Sequence, residues 1–395
     1  METRTASSHR HIVLIGMLSL AIAMGIGRFA FTPLMPLMLR DGSINADTGS
    51  EWAAANYLGY LLGALSAAWF RHAPRKGLCL GLGGVCITTL GMAWLGHAAP
   101  ATGACLRAAA GVCSAWVLVC CSSWCLPALS AVNARQSAGW VYAGVGLGIT
   151  ATGLLIWLGA PQAAHRLWSW LGLAALAGSI LVWQQLVSRP DVGASGQHQA
   201  APQPERHASH RPTGLVISYG VFGFAYIVPA TYLPTMARQL VADPMVFGLA
   251  WPLFGLAAVL GIAMLGLCHP GHSQRKAWAV SHVLMALGIM LPVLHHAIWV
   301  IALGAMLIGG TFMVATMAGL QLARDCWPAN PAPVLARMTA SFAAGQITGP
   351  VLIRLIGSAG LNALDSANVL ASGLLLLSAI WLWHAPHQPI SGLAG

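Results

Sequence analysis

The stretch HIVLIGMLSLAIAMGIGRFAFTPLMPLM, residues 11–38, decides how this chain is read. Its interior holds one charged side chain, Arg28, in a run of aliphatic, glycine and aromatic residues. A helix of roughly 20 apolar residues crosses a bilayer core about 30 Å thick, so this segment is long enough to span. Arg4 and Arg10, followed by an apolar run and Ala21-Ile22-Ala23, imitate a cleavable signal peptide. The run continues to Met38, well past a signal's apolar region, so a first membrane span is expected instead.

Working outward, the whole chain repeats this texture. Hydrophobic residues make up 57% of its 395 positions and charged residues 7%, against roughly 25% charged in a soluble domain. That excludes a cytosolic enzyme and a secreted module. The net charge of +10 does not indicate a nucleic-acid partner, because Lys and Arg are scattered in ones, twos and threes at the ends of apolar runs rather than gathered on a face. Seven of the nine cysteines fall inside two apolar segments, where they act as small hydrophobes, and no disulfide framework is expected.

Cut at charges, prolines and polar clusters, the sequence yields twelve candidate spans. They cover 11–38, 52–70, 77–96, 104–129, 138–160 and 167–187, then 213–236, 245–268, 277–294, 297–322, 338–357 and 367–384. An even number puts both termini on one side. Of 19 Lys and Arg, thirteen fall on that side and four opposite, Arg40, Arg166, Arg238 and Arg354; Arg28 and Arg107 lie within spans. Positive charge favours the cytoplasmic face, so both termini are expected there.

Residues 189–212 are rich in Pro, Gly, Gln, Ser and His and read as a cytoplasmic linker between an N-terminal bundle, 1–188, and a C-terminal bundle, 213–395. Repeats support the division. Gly25, Arg28, Pro36 and Met38 align with Gly223, Tyr226, Pro234 and Met236 at an offset of 198. Arg75-Lys76 aligns with Arg275-Lys276 at an offset of 200, and Gly144 with Gly148 aligns with Gly345 and Gly349 at an offset of 201. A near-constant offset implies two halves of equal orientation, the parallel-repeat design of a rocker-type transporter. The expected fold is an all-α polytopic membrane protein of twelve transmembrane helices in two pseudo-symmetric six-helix bundles.

Three motifs carry a resemblance: Gly25-Ile26-Gly27-Arg28-Phe29-Ala30-Phe31-Thr32-Pro33-Leu34 with Pro36, Ala55-Asn56-Tyr57-Leu58-Gly59-Tyr60 with Gly63, and Gly345-Gln346 with Gly349-Pro350. They are similar to the YbfB/YjiJ-type bacterial subgroup of the major facilitator superfamily, over essentially the whole chain. The resemblance implies a major facilitator fold in which the first and fourth helices line the central cavity. Arg107-x-x-x-Gly111 fits the superfamily's pattern in the fourth span, and Arg71, Arg75 and Lys76 fit its cytoplasmic motif, but Phe70 stands where that motif has Asp.

An ionised side chain near mid-membrane costs about 2.5–3.5 kcal/mol on insertion scales and normally faces a cavity or a partner. No span offers Arg28 or Arg107 an evident carboxylate. Two such guanidinium groups point to an anionic organic substrate held in bidentate geometry. For Arg107 a second reading stays open, in which it bonds carbonyls at a helix break. Asn56, Tyr57, Tyr60, Tyr219, Tyr226, Tyr232 and Gln346 supply hydrogen-bonding groups, either to orient a ligand or to join helices. The candidate binding residues are thus Arg28, Arg107, Tyr226, Asn56, Tyr60 and Gln346. The glycine pairs Gly144/Gly148 and Gly345/Gly349 are expected at the moving interface between halves.

The expected activity is secondary transport of a small anionic organic solute by alternating access, without a cofactor, by a monomer in a lipid bilayer. If a proton is coupled, His282 is the internal candidate besides the arginines. Rival readings are export of a soft metal through Cys113, Cys120, Cys121 and Cys125, with Met residues and His198, His207 and His210 of the linker, export of a drug-like compound, and a non-transporting sensor. The spans lack the paired carboxylates or His-acid sets of a membrane enzyme, so an enzyme is not expected.

Overall fold

A computed structural model of the chain describes residues 2–95, 99–132, 134, 137–187, 212–240, 248–267, 273–327, 332–358 and 362–384. Within these, the side chains of 2–8, 231–239, 266, 267, 332, 354, 357 and 358 are outside the description. The expected linker, but for Pro212, and the side chains of Tyr232 and Arg354 are therefore not described.

Among the described residues, twelve helical spans follow one another. The first, α1, is built in three pieces: α-helix Glu2–Leu20, a π-helical segment Ala21–Arg28, and α-helix Phe31–Arg40. Then come α2 (Ala46–Ser66), α3 (Pro74–Trp94), α4 (Pro100–Ala131), α5 (Ala138–Leu158) and α6 (Ala164–Val187). The second set is α7 (Thr213–Leu240), α8 (Ala250–Leu267), α9 (Gln274–Leu294), α10 (Ile298–Cys326), α11 (Ala332–Ser358) and α12 (Ala363–His384). Several helices begin before the apolar runs do. Pro74 and Pro100 open α3 and α4 in the first turn, where a missing N–H is harmless, and the Asn45 side chain accepts from the Thr48 N–H at 2.8 Å to cap α2.

Nine of the described helices are long and apolar enough to cross a membrane. Of the others, α2 carries Asp47, Glu51, Asn56, Tyr57 and Tyr60, and α8 offers a shorter apolar stretch, Ala250–Leu265. Large apolar side chains cover the outside, with Ile87 71% exposed, and exposed tryptophans stand near helix ends, Trp69 and Trp383 toward the terminal side and Trp94 and Trp299 opposite. An apolar belt flanked by tryptophan is how a protein surface meets hydrocarbon and headgroups.

The packing repeats with a shift of six helices. In the first bundle α2 packs on α4, α3 on α4 and α6, and α1 on α5; in the second, α8 packs on α10, α9 on α10 and α12, and α7 on α11. The bundles meet where α5 lies along α8 and α2 along α11, with the last piece of α1 against α7.

The glycine pairs do a different job from the one expected of them. A Cβ on Gly144 would sit 2.1 Å from the Met17 carbonyl oxygen and one on Gly148 would sit 2.3 Å from that of Ala21, so both press α5 against α1 within the first bundle. Gly345 and Gly349 likewise press α11 against α7. The face of α5 that meets the other bundle carries Gly146, Thr150 and Gly153, against Val259, Gly255 and Pro252 of α8. Positions four apart share one side of a helix, and a shift of two turns the chain to another side. The four-residue spacing marks close helix packing, as expected, but within each bundle rather than across the interface between the bundles.

At its C-terminal end α1 is pinned. Arg40 donates from Nη1 to the Ala160 carbonyl at 2.5 Å and from Nη2 to the Gln162 carbonyl at 2.8 Å, while Asp41 accepts from the Ala164 N–H at 2.7 Å. On the other side, Phe70 packs edge-on to Trp116 at 5.1 Å and Arg75 lies over Trp124 at 5.5 Å.

Candidate substrate site

The site starts from a break in α1. Gly25 and Gly27 weaken the helix, and between Ala21 and Arg28 it widens to a π-helix, closed by the Phe29 N–H donating to the Met24 carbonyl at 3.0 Å. Pro33 has no N–H to offer the Phe29 carbonyl, which the Thr32 N–H takes at 3.2 Å instead. The chain then resumes an α-helix with its carbonyls at Gly27 and Arg28 in need of other donors.

Arg107 of α4 supplies them. Its Nη1 donates to the Gly27 carbonyl and its Nη2 to the Arg28 carbonyl, each at 3.1 Å. The guanidinium, 2% exposed, thus sits at the negative end of a helix segment, where a cation is stabilised. Other α4 contacts hold the same segment: the Ser114 hydroxyl reaches the Ala23 carbonyl at 2.8 Å. Asn56 of α2 donates from Nδ2 to the Arg107 carbonyl at 2.9 Å, joining α2 to α4. From behind, α5 comes close enough that a Cβ on Gly25 would lie 2.4 Å from the Gly148 carbonyl carbon.

What this scaffold presents is Arg28. Its guanidinium lies over the Tyr60 ring at 3.7 Å, with Tyr57 and Phe29 farther off at 5.8 and 5.5 Å. A cation over an aromatic face in a desolvated setting is worth about 2 kcal/mol or more. Nη2 donates across the bundle interface to Oε1 of Gln346 on α11. Nη1 has no acceptor among the described residues, and neither has Nε2 of Gln346. The hydroxyl of Tyr226, on α7, faces the guanidinium without forming an aligned hydrogen bond. Arg28 is 3% exposed, and Tyr226 and Gln346 are fully buried. Among the described residues the one ion pair is Arg40 with Asp41, at 2.8 Å, so Arg28 carries its charge without a carboxylate. A buried donor left unpaired costs about 1–3 kcal/mol. Three of them in one place is an arrangement that packing alone does not favour.

Aromatic side chains form the remaining wall. Tyr226 stacks on Phe312 of α10, centroids 4.5 Å apart and planes at 16°, and on Phe342 of α11 at 5.9 Å and 10°. Phe29 meets Phe312 edge-on at 6.1 Å and Trp251 of α8 at 6.2 Å, and Trp251 stacks on Phe254 at 5.1 Å. Sequence reasoning missed these residues. Phe29, Phe222, Phe254, Phe312 and Phe342 are five of nine phenylalanines in the chain, and a scarce residue type recurring near the middle of several spans was the signal available.

Of the six candidates, then, Arg28, Tyr60, Tyr226 and Gln346 come together, drawn from both bundles. Arg107 and Asn56 lie one layer behind, engaged with backbone. Tyr219 packs among Trp278, Phe222 and Phe342. His282 is buried on α9, and its Nε2 accepts from the Trp278 indole N–H at 2.8 Å, a partner one turn away on its own helix. The thiols of Cys121 and Cys125 lie 3.7 Å apart and point at the Gly16 and Ile12 carbonyls of α1.

Comparison with solved structures gives the fold a context. The human organic anion transporter MFSD10 (TETRAN) superimposes with a TM-score of 0.69 at 16% identity, covering 95% of this chain and 99% of that one. A D-xylose-proton symporter superimposes with a TM-score of 0.73 at 13% identity, covering 95% and 98%. In sequence, the class G tetracycline resistance protein of Vibrio anguillarum is 27% identical over 178 residues, which is 44% of this chain and 45% of that protein. The chain thus aligns with less than half the length of that relative. The family described as uncharacterised MFS-type transporter YbfB matches residues 20–382. With a fold of twelve helices in two bundles and a family match over nearly its whole length, this multi-pass membrane protein belongs to the major facilitator superfamily, in the YbfB-type family of transporters.

Proposed function

We propose that the chain is a secondary active transporter of small organic anions, working by alternating access between α1–α6 and α7–α12. The observation that carries this is Arg28: a charge without a carboxylate partner among the described residues, buried where the bundles meet, bonded across the interface to Gln346. An anion entering between the bundles meets donors from both, from Arg28 on one side and from Tyr226 and Gln346 on the other. Binding energy is then realised only when the halves close around it, which couples occupancy to the rocking of one bundle against the other. The distribution of Lys and Arg supports an inner-membrane orientation with both termini in the cytoplasm. A coupling ion, if one is used, does not have to be a proton on the protein, since the substrate itself carries charge.

Arg107 has no place among the ligand contacts in this reading, because the backbone of α1 already occupies both of its outer nitrogens. Asn56 drops out because its Nδ2 donates to the Arg107 carbonyl and its remaining polar atom, the unpaired Oδ1, can only accept. A second reading, export of a hydrophobic drug-like compound, draws support from the partial similarity to a tetracycline resistance protein and from the aromatic wall. Purified protein screened for thermal stabilisation by organic acids, amino acids, phosphorylated compounds and tetracycline separates the two. Organic anions should stabilise wild type and not Arg28→Ala. Stabilisation of both proteins by neutral compounds alone would favour the drug reading.

A further inference from the structure

Building on the anion reading of this site, we infer that the solute is a flat aromatic monocarboxylate: a single negative charge joined to an apolar ring. The charge count comes first. Of the two arginines described in the interior of the spans, Arg107 turns both outer nitrogens to the Gly27 and Arg28 carbonyls and keeps only Nε unpaired, so Arg28 is the described cation placed to meet the ligand. A phosphate monoester brings about −1.5 to −2 charges at neutral pH, and a dicarboxylate brings a second carboxylate; either would leave buried negative charge unpaired. One carboxylate matches one guanidinium.

The donor pattern fixes the kind of group. Arg28 Nη1–H, Gln346 Nε2–H and the Tyr226 hydroxyl are buried and unsatisfied, and all can donate. A carboxylate has two oxygens and about four lone-pair sites, enough to accept from all three. A neutral carbonyl would accept hydrogen bonds but leave the charge of Arg28 uncompensated. The rest of the solute must suit its walls. Tyr60 lies face-on to the guanidinium, Tyr226 and Phe312 are nearly parallel, and Trp251 and Phe254 are parallel within 9°. An aromatic wall whose only unpaired polar atom among the described ring residues, apart from the Tyr226 hydroxyl, is the Trp251 indole N–H suits an apolar ring better than the hydroxyls of a sugar acid.

The test uses full-length protein in detergent and in proteoliposomes, with 2-naphthoate, benzoate, cyclohexanecarboxylate, terephthalate, benzamide and inorganic phosphate as probes. Thermal stabilisation gives apparent affinities, and counterflow of labelled 2-naphthoate gives transport. The two aromatic monocarboxylates should bind and compete, with cyclohexanecarboxylate and terephthalate at least roughly tenfold weaker and phosphate silent. Phe312→Leu should weaken 2-naphthoate by up to roughly tenfold while changing cyclohexanecarboxylate little, since it removes an aromatic ring from the wall of the site. Terephthalate or phosphate binding as well as benzoate overturns the single-charge inference, and cyclohexanecarboxylate matching benzoate overturns the aromatic one; both leave the anion reading standing. Benzamide matching benzoate, or no anion binding while neutral compounds do, defeats the anion reading itself. The probe series on wild type decides the matter even if Phe312→Leu does not fold.

Discussion

The first helix of each bundle occupies the same place in the repeat, yet α1 and α7 are built differently. α1 breaks at mid-membrane, with a π-helical segment ending at Arg28, whereas α7 runs as one α-helix from Thr213 to Leu240, through Pro229 and Pro234. At the aligned position α1 carries a charge and α7 carries Tyr226. The difference shows that a duplicated helix acquires a charged site only together with the means to support it. The break exposes carbonyls, Arg107 and Ser114 on α4 engage them, and Arg28 is held in a fixed orientation. Tyr226 needs no such support, because a neutral phenol is satisfied by stacking on Phe312 and Phe342 while its hydroxyl faces the site.

Four substitutions test the contrast between α1 and α7 and the groups around them. The largest effect is expected from Gln346→Glu, which places a carboxylate against the unneutralised charge of Arg28. Binding of organic anions should fall on the order of 100-fold, as when a buried charge pair is lost to a ligand. The unliganded protein should melt at a higher temperature than wild type. An unchanged affinity would mean that the ligand does not meet Arg28.

Arg107→Met comes next and should act on stability. It leaves the Gly27 and Arg28 carbonyls without donors, at about 1–3 kcal/mol each, read as a lowered melting temperature or a shifted denaturation midpoint. Were Arg107 a ligand contact rather than a support for the break, anion affinity would collapse in protein that still melts like wild type.

Tyr226→Phe removes one hydroxyl that has no aligned partner in the unliganded protein. Anion affinity should drop roughly tenfold, the usual range for a hydrogen bond to a charged group, with the melting temperature unchanged or slightly raised. A clear loss of stability would show instead that the hydroxyl belongs to the packing of α7. Asn56→Ala should have the smallest effect, a destabilisation of about 0.6 kcal/mol, typical of one interhelical hydrogen bond in a membrane protein, and no change in anion affinity. Affinity lost in step with the Arg28 variants would return Asn56 to the site.

Much of this architecture is legible in one dimension because bilayer thickness sets span length, and a span is a local property of some 20 residues. The twelve apolar segments, their division around residues 189–212 and the offset of about 200 between repeats all follow from counting along the chain. Arg28, Tyr60, Tyr226 and Gln346 stand out as polar groups in apolar runs for the same local reason. Less legible is which polar groups share a space. Arg28 and Arg107 look alike in sequence, since each is a lone guanidinium in a span with no acid nearby. Their difference depends on a π-helical widening whose carbonyls only a neighbouring helix can reach.

Sequence by itself thus determined that this is a twelve-span duplicated membrane protein with a few polar side chains buried in it, because hydrophobic length and repeat spacing are additive along the chain. Packing in three dimensions sets which of those side chains keep unpaired polar atoms, which aromatic rings surround them, and which glycines join a bundle to itself rather than to its counterpart. Those outcomes depend on the rotation of each helix about its axis and on where its backbone departs from regular hydrogen bonding, and both are set by the helices packed against it.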